Sequence, residues 1–239
     1  MKTLLILGLL FLRITCDAQE LQGYKDNATG LYGFKNAGGE VVVKPQFNGI
    51  TRFYEGMIGV NIGGKPDALG YGTEGGKWGF IDNTGKLLIE PAFQRIFFFK
   101  DGLCGVQQND KYGFINKTGK LVIPAKYDQL SAFAGELAVA TINKKSGYID
   151  KTGKIVIPLQ YQFATDFSEG LAAVSLEGSV KGSGNSITIY ANFGYINKQG
   201  ELVIPYQYSR ASPFSRGSAS VVKDGGEFYI DKTGATVKN

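Results

Sequence analysis

At 239 residues with 43% hydrophobic side chains, the chain is long enough to bury a real core, and its 13% aromatic content excludes a disordered or collagen-like polymer. It has no histidine, which removes Ser-His-Asp and Cys-His pairs, histidine-ligated zinc and histidine acid–base chemistry from consideration. The net charge of +5 is spread without a basic run, so neither nucleic acid nor an anionic membrane is favoured as a partner.

The first residues read as an export signal. Lys2 forms a short basic region, Leu4 to Leu12 an apolar stretch, and Cys16 and Ala18 put small residues just before Gln19. Cleavage after Ala18 is expected, leaving 19–239 as one domain in the periplasm, at the cell surface or secreted. The apolar stretch is too short to cross a bilayer as a helix, and the mature chain has no other long apolar run. Lipidation at Cys16 is the alternative, although Arg13-Ile14-Thr15 lacks the leucine and small residues expected before such a cysteine. Past this segment only Cys104 remains, so the fold must rest on packing rather than an internal disulfide.

From there on, one unit recurs six times. Its centre is Tyr112-Gly113-Phe114-Ile115-Asn116-Lys117-Thr118-Gly119-Lys120-Leu121-Val122-Ile123-Pro124, recurring from Tyr32, Trp78, Gly147, Phe193 and Phe228. The turn glycines Gly39, Gly85, Gly119, Gly153, Gly200 and Gly234 are spaced 46, 34, 34, 47 and 34 residues apart, a period of 34 with two insertions. Between copies runs a second pattern, as in Tyr127, Leu130, Phe133 and Leu137. Its spacing fits either a helical turn or a compact turn with a short strand.

Each unit predicts an antiparallel meander. A strand such as Leu171-Ala172-Ala173-Val174 leads into an aromatic-Gly-aromatic strand, which turns at Asp/Asn-x-Thr-Gly into a Lys-Leu-Val-Ile strand. Trp78 and Phe80 face one way and Gly79 and Ile81 the other, so both faces need cover from neighbouring units. Gly79, Gly113 and Gly194 admit the close approach of another backbone or ring. Polar residues at apolar positions of the end units, Lys35, Thr236 and Lys238, suit the ends of an open array. The expected fold is all-β, a tandem array of six meander repeats. An open twisted solenoid is favoured, with a closed six-bladed β-propeller as the alternative.

Lys77-Trp78-Gly79-Phe80-Ile81-Asp82 with Thr84-Gly85-Lys86, and Phe167-Ser168-Glu169-Gly170-Leu171-Ala172-Ala173-Val174, resemble the bacterial WG repeat over essentially all of 21–239. Tryptophan persists only at Trp78, and the units holding Gly147 and Phe228 have an incomplete aromatic-Gly pair. The resemblance implies a repeat-built module of exported or surface-associated proteins. It implies no catalytic residues.

Several constellations invite sharper readings. Asp82, Asp150 and Asp231 precede Thr-Gly as in an aspartic protease, but with an extra residue between, and Asn116 and Asn197 fill the same slot; they read as turn residues. That substitution also weakens a repeated calcium site, so no metal and no cofactor are expected. Gly70-Tyr71-Gly72-Thr73-Glu74-Gly75 matches a dinucleotide-binding pattern but precedes a strand, and reads as a glycine loop. Cys104 reads as a buried small hydrophobe. Glu74, Glu136, Glu169, Glu177 and Asp166 are the carboxylates from which a glycosidase pair would have to come.

The candidate binding residues are those standing above the repeat. Both insertions, Asn61 to Gly76 and Glu177 to Ala191, fall between the first and second strands of this meander and are expected on one edge of the array. Phe97 and Phe98 replace polar or small residues at equivalent positions, and Tyr54, Tyr71 and Tyr190 add stacking surface. The expectation is an exported, non-enzymatic module that binds a protein or glycan partner through these loops and aromatics. A carbohydrate-active enzyme and a structural envelope spacer are the alternatives.

Overall fold

The structure, a computed structural model, describes residues 21–68, 72–183 and 186–237; the segment predicted as an export signal, with Cys16, and Tyr71 lie outside them. Among the described residues there is no helix, and every repeat forms one antiparallel sheet. Repeat 3 is representative, with strands Arg95–Ile96, Leu103–Gln108, Lys111–Asn116 and Leu121–Tyr127 lying side by side in chain order. The linker pattern therefore resolves into strand rather than helix. Its aromatic ends one fourth strand, and after a single residue the short first strand of the next repeat begins, as at Tyr127-Asp128-Gln129.

Local chemistry dictates each turn. Between first and second strands, Asp101 and Gly102 both take positive φ (50° and 76°), the mirror-image turn that suits strand twist, and Lys100 and Leu103 exchange backbone hydrogen bonds of 2.9 and 3.1 Å. Glu55-Gly56, Glu169-Gly170 and Arg216-Gly217 repeat the device. Between third and fourth strands, Asp150 Oδ1 accepts the Thr152 and Lys154 amides at 2.9 and 3.0 Å and the Thr152 hydroxyl at 2.6 Å. Asp82, Asn116 and Asp231 accept the same three bonds, and the protease-like string is a turn.

The glycine after the aromatic answers to a bulge. Trp78 pairs with Phe93 and Phe80 with Ile89, so Glu90, Pro91 and Ala92 arch over the single Gly79. A Cβ there would lie 2.4 Å from the Ile89 carbonyl oxygen and 2.7 Å from the Pro91 nitrogen. Gly33, Gly113, Gly147 and Gly194 are crowded by backbone in the same way. The last repeat shows the converse: its short fourth strand, Thr236–Val237, pairs without a bulge, and Phe228 stands in the glycine position.

Both faces of each inner sheet are buried. Phe114 belongs to the core shared with repeat 4 and its neighbour Ile115 to the core shared with repeat 2, and hydrophobic clusters of this kind join each successive pair of repeats. Each turn glycine also sits on the fourth strand of the preceding repeat, Gly119 against Ile89, Gly153 against Ile123, Gly200 against Ile157 and Gly234 against Ile204. Gly39, in the first repeat, meets nothing within 4 Å.

The ends are capped by polar pairs. On the outer face of repeat 1, the Lys35 ammonium lies 4.6 Å from the centre of the Tyr24 ring. On repeat 6, Ser218 and Ser220 replace the Leu171 and Ala173 of repeat 5, and the Ser220 hydroxyl donates to Glu227 at 2.5 Å. Lys238 lies outside the described residues. Among those described, no hydrophobic cluster joins repeat 6 to repeat 1, and Gly39 meets no preceding repeat, so the array is open.

Candidate functional site: clefts under the hairpin insertions

The two insertions extend the meander at the expected place. The first lengthens the hairpin of Met57–Pro66 and Thr73–Ile81, braced by buried Asn61, whose side chain donates to the Gly75 carbonyl (3.1 Å) and accepts from the Gly64 amide (3.0 Å). The second forms its own two-stranded sheet, Gly178–Ser183 with Ser186–Ala191, beyond the strands of repeat 5. Each overhangs the repeat that follows and encloses a cleft.

The cleft under the first hairpin has a volume of about 620 Å³, between Thr73 and Glu74 of the hairpin, Trp78 behind them, and Arg95, Phe97 and Tyr112 of repeat 3. Under the second hairpin two clefts of about 930 and 390 Å³ share Ile189, Ser209, Arg210 and Val222 and form one continuous groove. Tyr190, 55% exposed, stands on the hairpin side of the larger one, with the Lys181 ammonium 5.4 Å from its ring centre.

The candidate aromatics part company. Phe98 is 44% exposed and its ring centre lies 4.8 Å from that of exposed Tyr54, giving an apolar surface pair that bridges repeats 2 and 3. Phe97 turns inward instead: it packs on the core between those repeats, fills the space over Gly105 and stacks on Tyr112 at 6.1 Å, so that only part of it faces the first cleft. Tyr190 belongs to the second cleft. Sequence reasoning passed over Arg95 and Arg210; their signal is positional, each standing ten residues after a turn glycine, Gly85 and Gly200.

The carboxylates on the opposite, turn-bearing edge are structural. Glu55 accepts the Asp101 and Gly102 amides of the next repeat at 2.6 and 2.9 Å and pairs with Lys117 at 3.3 Å. The Gly102 amide is the main cause that holds its carboxyl below the usual range, against the opposing effect of burial. Glu169 repeats this arrangement with the Gly217 amide and Lys232, and Glu136 pairs with Lys151. Burial pushes the Cys104 thiol up to about 12 against a smaller lowering effect of the Phe97 backbone, leaving it an inert core group. Among the described residues, no three Cys, Asp or Glu side chains gather into a metal site.

Comparison with known proteins places this architecture. In fold the chain is similar to a structure titled "Crystal structure of the eukaryotic initiation factor", with a TM-score of 0.53 and 11% identity over 92% of this chain and 63% of that one. A likeness to Kluyveromyces lactis Hsv2 has a TM-score of 0.44 at 11% identity, over 90% and 72% of the two chains. A protein of unknown function from Bacteroides caccae gives 0.31 at 13% identity, over 91% and 90%. No curated protein matches in sequence. The WG containing repeat, by contrast, matches residues 32–65, 78–112, 112–145, 147–178 and 193–226, most of the chain, each match beginning in the aromatic-Gly strand of one sheet and running into the next repeat. The chain belongs to the WG containing repeat family.

Proposed function

We propose that the protein is a non-enzymatic binding module, exported after cleavage near Ala18, that presents the two hairpin-framed clefts and the Tyr54–Phe98 pair to a partner at the cell envelope. The clefts carry this reading: a rigid stack of sheets holds two overhanging hairpins, and the concave space beneath each is lined by rings and a few polar groups, the usual composition of a ligand site. Supporting a non-catalytic role, Glu136 and Glu169, two of the candidate acids, are committed to contacts between repeats. The test is capture from an envelope extract by the chain from Gln19, beside a variant in which Gly178 to Ala191 is replaced by a short Asn-Gly turn and a Tyr54→Ala, Phe98→Ala variant. Capture lost in either folded variant supports the reading; capture equal in all three favours a structural spacer.

A further inference from the structure

We propose that the two clefts are copies of one site, in which Arg95 and Arg210 each take the carboxylate of a glycan that alternates uronic acid with uncharged sugars. This rests on the binding-module reading above.

The duplication is visible position by position. Phe93-Gln94-Arg95-Ile96-Phe97 and Tyr208-Ser209-Arg210-Ala211-Ser212 occupy the same stretch of repeats 3 and 6. The arginine slot holds Gly49, Gln129 and Phe163 in repeats 2, 4 and 5, so arginine stands only in the two repeats overhung by an insertion. Trp78 and Phe193 form equivalent parts of the wall from the preceding repeat, and Tyr112 and Glu227 the far wall. A groove made by the repeat alone looks different: the one between repeats 4 and 5 has a volume of about 310 Å³, takes Gln129 from the preceding repeat and Ala164, Thr165 and Asp166 from the following one, and has no cation and no ring in its lining. Among the described residues no ion pair holds Arg95 or Arg210, and both are exposed.

The ligand class follows from these groups. A guanidinium fork matches a carboxylate in a two-point contact, which gives orientation as well as charge. Beside it, the rings that line each cleft, Trp78 and Tyr112 in one and Tyr190 and Tyr206 in the other, suit the apolar surface of a sugar. Gln94, Thr73 and Glu74, answered by Asn192, Ser209 and Glu177, supply acceptors and donors for ring hydroxyls. Each cleft holds a single cation among carboxylates, so a continuous polyanion is disfavoured and a carboxylate on alternate sugars fits. An acidic peptide would instead call for several clustered cations.

Titration calorimetry of the chain from Gln19 with a hyaluronan oligosaccharide tests this, with a neutral chito-oligosaccharide and poly-glutamate as controls. The expected result is two sites per chain. Arg95→Gln or Arg210→Gln alone weakens one at least about tenfold, and the double variant weakens both to that extent while its thermal unfolding is unchanged, since both side chains are exposed. Absent hyaluronan binding, binding indifferent to both arginines, equal binding of the neutral oligosaccharide, or binding of poly-glutamate in its place overturns the inference. If hyaluronan fails while envelope capture still depends on the hairpins, this inference falls and the binding-module reading stands; if capture is also indifferent to the hairpins and to the Tyr54–Phe98 pair, both fall.

Discussion

Tyr127 is fully buried and its hydroxyl finds no hydrogen-bond partner, while Phe47 and Phe93 fill the same position in earlier repeats. A buried hydroxyl without a partner costs about 1–3 kcal/mol, so Tyr127→Phe should hold or raise the unfolding midpoint, as calorimetry would show. Tyr148 is the opposite case. Its hydroxyl donates to the Thr165 carbonyl at 2.8 Å, burial pushes the phenol far above its ordinary range, and Tyr148→Phe should lower stability by about 1 kcal/mol or more by stranding that carbonyl. Asp150 ties residue chemistry to pH: chiefly through the Thr152 hydroxyl, with the Lys154 and Thr152 amides adding and burial opposing, its carboxyl is held below the usual range. A depressed folded-state pKa means stability that is present above the unfolded value near 4 and lost as the pH falls through the folded one. Asp150→Asn should keep the turn, as Asn116 does, and flatten that part of the acid limb in a pH series of urea melts. These turns were legible in the sequence because donor and acceptor are four residues apart or fewer. Tyr127 was not, because what its hydroxyl meets depends on the neighbouring repeat.

At the scale of the element, the aromatic-Gly strand and its arched partner form one device. Gly113→Ala would push a methyl group to within 2.5 Å of the Ile123 carbonyl oxygen and 2.7 Å of the Ala125 nitrogen, backbone atoms that cannot swing away. The expected loss is about 1–3 kcal/mol, read by chemical denaturation, whereas Phe228→Ala should act as an ordinary loss of packing against Tyr208. Period, turn position and alternation were readable from spacing alone, and they fixed the order of strands. The arch was not, since the predicted strand stops at Ile123 and nothing in Pro124-Ala125-Lys126-Tyr127 shows that the pairing continues with three residues opposing one glycine. The insertions were placed correctly between strands, but the clefts beneath them arise from overhang onto the next repeat, a relation that strand pairing within one meander does not contain. Phe97 and Phe98 illustrate the same boundary: adjacent in sequence and alike in chemistry, one is drawn inward by the space over Gly105 and the other pairs with Tyr54 at the surface.

For the molecule as a whole, stability is a sum of contacts between nearest neighbours, since each hydrophobic cluster spans only two successive repeats. Hydrogen exchange should accordingly find slow amides in repeats 3 to 5 and faster ones in repeats 1 and 6, whose outer faces have no neighbour. The polar caps keep those faces from finding one elsewhere. Replacing both, with Lys35→Ile and Glu227→Trp, should leave the fold intact and add concentration-dependent self-association in sedimentation velocity that the unsubstituted chain lacks. The connection between repeats has a mechanical meaning. Where Tyr127 ends one sheet and Gln129 opens the next, a single residue separates them, so the chain contains no slack to stretch before a sheet must give way. A molecule tethered at both ends would bear load in series and lengthen in discrete steps, each 34-residue repeat releasing roughly 110–120 Å of contour.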